Sequence, residues 1–197
     1  MPTTTTELEA VNTMLRYIGE SPVSAITGGN LPVHVTIANT VLADISREVQ
    51  LEGWHFNTAP KVTLSPDGST KKISIPTDVV KIDANDKTKD VVIRGAFLYD
   101  RKDATFEFSG DLEVNTVSLL DFTDLPESAR RYITIKASRV FQAQTIGSRE
   151  LEQLLARDEF TARAELLEYD GGNSDRTIFD SFDAGARIGI NRNYDVI

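Results

Sequence analysis

Apolar residues recur at helical spacing near both ends of the chain and at strand-like spacing in its middle. The first helical pattern begins near Thr6, where Thr6 and Glu9 fit a capping box in which each side chain bonds the other residue's backbone N–H. It ends at Gly19, because glycine accepts the left-handed conformation that follows many helices. The residues predicted to share its apolar side are Leu8, Val11, Leu15 and Ile18.

A second helix is predicted to begin near residues 31–32 and to stop at Gly53, followed directly by Trp54 and Phe56. Large aromatic residues placed just after a helix end commonly fold back onto that helix. The pattern therefore favours Trp54 as a core anchor and leaves a contact with a partner as its alternative role. The apolar positions of this helix are Ile37, Ala38, Val41, Ile45 and Val49.

The middle of the chain reads as a series of short strands rich in β-branched and aromatic residues. Turn signals such as Ser65-Pro66-Asp67-Gly68 separate them at nearly hairpin spacing, which favours an antiparallel sheet. The predicted strands are residues 61–64, 72–75, 79–83, 91–94, 97–100, 105–108 and 113–120.

Helical spacing returns at Pro126, with Asp124 as a candidate N-cap. Gly147 breaks this third helix, and Ser148 is placed to cap a fourth. The predicted apolar side of the fourth helix contains Leu151, Leu155, Ala162, Leu166 and Tyr169.

From Asp170 onwards the apolar residues follow neither a helical nor a strand period, and the 171–174 segment reads as a break. The segment is too polar to fold alone and too apolar to be an inert linker. It therefore either packs on its own domain or serves as an arm for a partner. Its candidate anchors include Phe179, Phe182, Ile188, Ile190 and Tyr194.

This order of elements predicts an α+β fold. Residues 1–57 and 123–169 are expected to form an antiparallel-type four-helix core. Residues 58–122 are expected to form an inserted antiparallel β domain, and residues 170–197 an extended C-terminal arm.

Charge and composition narrow the possible functions. The formal net charge is −9, and residues 126–169 hold seven acids and seven bases, so no segment supplies the basic face that a protein gripping nucleic acid needs. The absence of cysteine excludes disulfides and cysteine-based zinc or redox chemistry. The sequence shows neither an apolar stretch long enough to span a membrane nor a secretory signal at its N-terminus.

We find no catalytic, metal or cofactor motif in the sequence. The two histidines, His34 and His55, lack the spacing of metal ligands. The segment 83–86 begins like a calcium loop, but Thr88 replaces its glycine and Arg94 its bidentate acid. With 30 acidic residues, hydrolysis by a carboxylate pair stays open as an alternative.

Three islands of sequence carry a resemblance to a known family. The first is Ile18 to Val23, with its Ile-Gly-Glu-x-Pro-Val pattern. The second consists of Arg47, Gln50, Gly53, Trp54, Phe56 and Asn57. The third consists of Pro126, Glu127, Tyr132, Ile133 and Lys136 to Arg139. In this order and spacing they resemble the tail tubular protein A family of short-tailed bacteriophages.

The resemblance implies a structural virion protein and no enzyme. Its implied partners are further copies of itself in a ring of twelve, the portal protein, and the tail nozzle, tail tubular protein B. DNA is met only in transit through the channel, no membrane is contacted, and the ring is assembled in the host cytoplasm. The residues predicted to bind partners are Trp54, Phe56, Phe179, Phe182, Ile188, Ile190 and Tyr194. The alternatives are a tail hydrolase of cell wall or polysaccharide and an interaction domain of another system.

Overall fold

The computed structural model describes residues 4–173, and within them the chain forms four α-helices and five β-strands. The helices are α1 (Glu7–Tyr17), α2 (Val33–Gln50), α3 (Glu127–Thr145) and α4 (Arg149–Asn173). The strands are β1 (Thr58–Leu64), β2 (Val79–Ala84), β3 (Val91–Arg94), β4 (Phe97–Asp100) and β5 (Leu112–Ser118). The α+β class and the antiparallel pairing of the strands are confirmed.

The ends of α1 follow the sequence prediction. The Glu9 N–H donates to Thr6 Oγ1 at 3.2 Å, and the Thr6 N–H donates to the Glu9 carboxylate at 2.8 Å, which completes the capping box. Gly19 follows the helix with φ of 78°, in the left-handed region. The buried side includes Ala10 and Met14 together with Val11 and Leu15.

Two helix boundaries differ from the prediction. Asp124 was expected to cap α3, but it ends a short 3₁₀ turn, and Pro126 occupies the N-cap position instead. Helix α4 continues through Gly171 and Gly172 to Asn173, whereas a break was expected after Asp170. The Asp170 carboxylate accepts the His55 N–H at 2.6 Å, which ties this last turn to the chain beyond α2.

One hydrophobic cluster contains buried residues from all four helices. Helix α3 lies at its centre, because it contacts each of the other three helices. Its buried aromatic side chains, Tyr132 and Phe141, are among the largest fully buried ones in the described residues. Leu155, Ala162 and Leu166 are the buried positions of α4, whereas Tyr169, which was expected on that side, is 43% exposed.

The strands form a three-stranded sheet in the order β1-β5-β2 and a separate β3-β4 hairpin. A register shift in β1 lies between Ala59 and Val62, where Lys61 has φ of 55°. A second hydrophobic cluster lies among these strands and their connections. It contains Ile73, Ile75, Val91, Leu98, Phe108, Leu112 and Val114.

The strands predicted at residues 72–75 and 105–108 are wrong as strands. These segments form only isolated bridges, Lys72 to Glu107, Ser74 to Phe97 and Asp100 to Thr105. Lys71 and Ala104, which precede the two segments, have positive φ angles of 58° and 52°. The resulting changes of direction leave each segment with two isolated bridges and no continuous ladder, although its apolar residues still reach the second cluster.

Gly53 is the turn between α2 and Trp54, and its φ of 81° disfavours any side chain. A Cβ atom there would also lie 3.2 Å from Val117 Cγ2. We expect Gly53→Ala to lower the free energy of unfolding by about 1–2 kcal/mol, measured by urea denaturation. Gly68→Ala is the control, because φ there is outside the left-handed region and nothing lies within 4 Å of the new Cβ. Equal stability of the two variants would contradict this account.

Buried polar junctions and a candidate interaction surface

The loop between α1 and α2 is held by amide side chains from both helices. Asn12 of α1 pairs with the backbone of Val23, donating to the Val23 carbonyl at 3.0 Å and accepting the Val23 N–H at 2.8 Å. Asn39 of α2 donates to the Ile26 carbonyl at 2.8 Å. Val23 closes the first sequence island, so that island marks where the loop is fixed to the helices.

Trp54 lies in the helical cluster with 4% of its surface exposed. Its indole Nε1–H donates to the Val49 carbonyl at 2.7 Å, so the ring folds back onto the last turn of α2. The ring of Phe56 lies parallel to it, with centroids 6.4 Å apart, and Phe56 is half-buried against the same cluster. This is the geometry of a core anchor in the single chain. A role for Trp54 and Phe56 in binding a partner stays a prediction.

Gln50 and Asn57 join the end of α2 to the chain that follows β5. The buried Gln50 amide accepts the Leu120 N–H at 2.7 Å and donates to the Leu120 carbonyl at 3.1 Å. The Asn57 amide donates to the carbonyls of Gln50 and Ser118 at 2.9 and 3.1 Å. These bonds satisfy buried backbone groups and fix the helical cluster to the three-stranded sheet.

Arg130 is a buried cation, 6% exposed, and its recorded partners among the described residues are backbone carbonyls. Its Nε donates to Leu125 O at 2.7 Å and its Nη1 to Thr5 O at 2.9 Å, while Nη2 donates to Thr123 O. Glu127 accepts the Thr5 N–H at 2.8 Å. The entry to α1 and the entry to α3 are therefore held by one guanidinium group.

Arg163 of α4 makes an ion pair with the chain just after α2 and a hydrogen bond with α3. Arg163 donates to both oxygens of Glu52 at 2.8 and 3.1 Å and to the hydroxyl of Tyr132 at 3.0 Å. These two partners raise the pKa of the Arg163 guanidinium above its ordinary value, so it stays charged. The pair is partly exposed, so its contribution to stability is small.

A second set of ion pairs uses Lys136 and Arg139, the basic residues of the third sequence island. Lys136 Nζ lies 3.1 Å from Glu48 of α2. Arg139 contacts Glu159 at 2.9 Å and Glu152 at 2.7 Å, both on α4. These two carboxylates raise the pKa of Arg139. The third island thus marks the charged contacts that orient α2, α3 and α4.

A carboxylate cluster lies at the β3-β4 hairpin. Lys89 contacts the buried Asp100 at 2.9 Å and Asp103 at 2.7 Å. Burial alone would raise the pKa of Asp100, but hydrogen bonds from Lys89 and from the backbone lower it below the ordinary value. Asp86, from the rejected calcium loop, accepts the N–H and hydroxyl of Thr88 as a local turn. The acids here stabilise their own loops.

The outer side of α4 carries an exposed apolar strip that the sequence patterns did not predict. We call the exposed Phe160, Ala164 and Leu167, together with the half-buried Ala156, the α4 strip. Phe160 is 77% exposed and Leu167 52% exposed. The residues recur at spacings of four, four and three, which is a helical period and could have indicated this second apolar side. The strip faces away from the buried positions of α4, so it is available to another segment or protein.

The remaining predicted sites are placed as follows. Of the two histidines, His34 lies at the surface with Nδ1 2.8 Å from Glu20 Oε1. Within residues 4–173, no group of three or more His, Asp or Glu side chains is arranged to hold a metal ion. None of the helices in that range has the length and hydropathy of a membrane span. The predicted anchors outside the described residues are Phe179, Phe182, Ile188, Ile190 and Tyr194.

These contacts define a class of protein. The polar side chains described above hold the chain's own loops, helices and sheets in place, and the exposed apolar strip lies on a helix surface. The helices and antiparallel strands that they hold together place the chain in the α+β class.

Comparison with known proteins gives the family. The model of the tail tubular protein family matches residues 8–175 of this chain. The chain therefore belongs to the tail tubular protein family and is a structural protein of a phage tail, located in the virion. It is also similar to tail tubular protein A of Klebsiella phage KP34, with 32% identity over 129 residues. That alignment covers 64% of this chain and 66% of the relative, just under two thirds of its length.

Proposed function

We propose that this protein is a ring-forming adaptor that joins the portal to the tail nozzle, tail tubular protein B. Twelve copies assemble in the host cytoplasm, and the ring lets genomic DNA pass during ejection. The observation that carries the proposal is the family match over residues 8–175, which includes every helix and strand of the described residues apart from Glu7 at the start of α1.

The two hydrophobic clusters support a division of the adaptor into domains. In this division residues 1–57 and 123–169 are the helical core and residues 58–122 are a β insertion, which has its own buried cluster but also contributes Phe122 to the helical one. The Gln50 and Asn57 bonds lie where the chain leaves and re-enters the core. An insertion fixed at this point is held in a defined orientation, which suits a part that contacts a second ring.

Charge supports a role as a passage for DNA. A channel wall with clustered cations would hold phosphates by releasing counterions, and passage would slow. The chain has net charge −9. Several of its cations are already paired with its own acids, including Lys136, Arg139 and Arg163.

The C-terminal arm supplies further contacts in this proposal. Residues from about 170 to 197 combine apolar anchors with glycines, which suits an extended segment that orders on a neighbouring subunit or on the portal. Helix α4 accounts for residues 170–173, so the arm begins after Asn173.

The carboxylate geometry gives little support to a hydrolase. A glycosidase needs one acid whose pKa is raised, so that it can donate a proton. Glu152 and Glu159 share Arg139, and Asp100 and Asp103 share Lys89. Hydrogen bonds from Lys89 and the backbone lower the pKa of Asp100, which is the opposite requirement.

Electron microscopy tests the proposal directly. The purified full chain is imaged in negative stain alone and after mixing with the portal of its phage, with portal alone as the control. We expect ring-shaped particles seated on one end of the portal, and no such layer on the portal alone. A monomeric chain that leaves the portal unchanged would refute the adaptor function. Clearing of purified cell wall or polysaccharide, lost on a single acid-to-amide change, would favour the hydrolase instead.

A further inference from the structure

The α4 strip ends close to the point where the chain leaves the described structure. Leu167 lies six residues before Asn173 and Phe160 lies thirteen before it. At 1.5 Å per helical residue, these positions are about 9 and 20 Å from the end of α4. The first apolar residues after Asn173 are Ile178, Phe179 and Phe182.

We propose that residues 178–183 fold back and dock on the α4 strip of the same chain. The chain has sufficient length for this path. An extended segment spans about 17 Å from Asn173 to Ile178 and about 30 Å to Phe182. Both spans exceed the distances back to Leu167 and Phe160, so the anchors reach the strip without strain.

Charge complementarity supports residues 178–183 as the segment that covers the α4 strip. Arg149 and Arg157 lie beside the strip on α4, and Glu168 lies beside its other end, next to Leu167. Neither arginine has an ion pair within 4 Å among residues 4–173. The docking segment alternates apolar and acidic residues, with Asp180 beside Phe179 and Asp183 beside Phe182. Its apolar side chains would cover Phe160 and Leu167 while the carboxylate of Asp183 approaches Arg157.

Tethering favours docking by a segment of the same chain over docking by a separate chain. A segment joined to its site by a few residues has an effective concentration in about the millimolar range, so a small apolar contact suffices to hold it. Docking here would shield an exposed phenylalanine in the unassembled protein. It would also leave Ile188, Ile190 and Tyr194 as the anchors that reach another copy or the portal, a division of the arm that rests on the proposed function.

Because the chain has no cysteine, an engineered disulfide reports this contact without background. The test uses the full chain with Ala164→Cys and Ser181→Cys under mild oxidation, followed by non-reducing electrophoresis. The control pair is Glu165→Cys with Ser181→Cys. Glu165 is exposed and lies at nearly the same height along the helix as Ala164, so residue 181 can reach either position. Its side chain, however, points about 100° away around the helix. A third variant adds Phe160→Ser to the Ala164 pair.

We expect the Ala164 pair to form an intrachain disulfide about tenfold faster than the Glu165 pair, because docking raises the local concentration of residue 181 at the strip. Phe160→Ser should reduce this rate to that of the control. Equal rates for both pairs would overturn the proposal. So would disulfides that form only between chains carrying Ala164→Cys and chains carrying Ser181→Cys, since the strip would then hold another copy's segment. Ring formation by the unaltered chain is scored separately, so the adaptor function and this contact can fail independently.

Discussion

Trp54→Ala should lower the free energy of unfolding by about 3–5 kcal/mol. The indole is almost fully buried in the helical cluster, so its removal leaves a cavity between the end of α2 and its neighbours. The substitution also removes the 2.7 Å hydrogen bond to the Val49 carbonyl and the ring that Phe56 stacks on. Because Trp54 is the sole tryptophan, unfolding is followed by circular dichroism in urea and not by fluorescence.

Two comparisons separate the core role of Trp54 from a role in binding. Trp54→Phe keeps an aromatic ring but loses the Nε1–H donor, so its stability should lie between those of the parent and Trp54→Ala. Leu154→Ala removes an apolar side chain that is 56% exposed and lies outside the α4 strip, and it should change stability by less than about 0.5 kcal/mol. If Trp54→Ala unfolds like the parent but fails to form rings or to attach to the portal, Trp54 is an interface residue.

Local signals predicted most of the elements. The capping box at Thr6 and the stops at Gly19, Gly53 and Gly147 depend on residues within one turn of each boundary, so the sequence alone contains them. Strands β3 and β4 were predicted at their observed bounds because a short turn joins two apolar runs. The strand predictions for residues 72–75 and 105–108 failed because of local backbone conformation. Their composition suits strands, but positive φ angles at Lys71 and Ala104 turn the chain away from continuous pairing.

The polar junctions could not be predicted, because each joins residues far apart in sequence. Gln50 pairs with Leu120, 70 positions away, and Arg130 reaches Thr5 across 125 positions. No local periodicity encodes such pairs. The family resemblance nevertheless included several of these positions, among them Gln50, Trp54 and Asn57. Their presence in the sequence islands now has a physical reason, since they satisfy buried backbone groups where the helices meet the sheet.

The two apolar sides of α4 show a different limit of prediction from sequence. The sequence pattern identified Leu155, Ala162 and Leu166 correctly, but it also placed Tyr169 on the buried side and did not recognise the α4 strip. A helix with two apolar sides gives an ambiguous pattern, and only packing decides which side meets the core. Here α3 covers one side, which leaves the strip on the other side exposed.

Arg130→Met should cost about 4–9 kcal/mol of unfolding free energy, at least as much as the loss of the tryptophan. Hydrogen bonds from a charged donor contribute about 1.5–3 kcal/mol each, and three carbonyls would lose theirs. Those carbonyls belong to Leu125, Thr5 and Thr123, so the variant should loosen the starts of α1 and α3 together.

The neighbouring arginine provides a matched control for this prediction. Arg131 is exposed and makes one ion pair, 3.4 Å from Glu165, so Arg131→Met should cost less than about 1 kcal/mol in the same urea titration. Arg130→Lys keeps the charge, but its single ammonium group lacks the planar fork that reaches three acceptors, so most of the loss should remain. Full stability in the lysine variant would show that charge alone is sufficient. Equal losses at positions 130 and 131 would show that the carbonyl contacts contribute nothing of their own. A large loss confined to Arg130, with protease sensitivity appearing near Thr5, would establish that one buried guanidinium holds the two helix starts together.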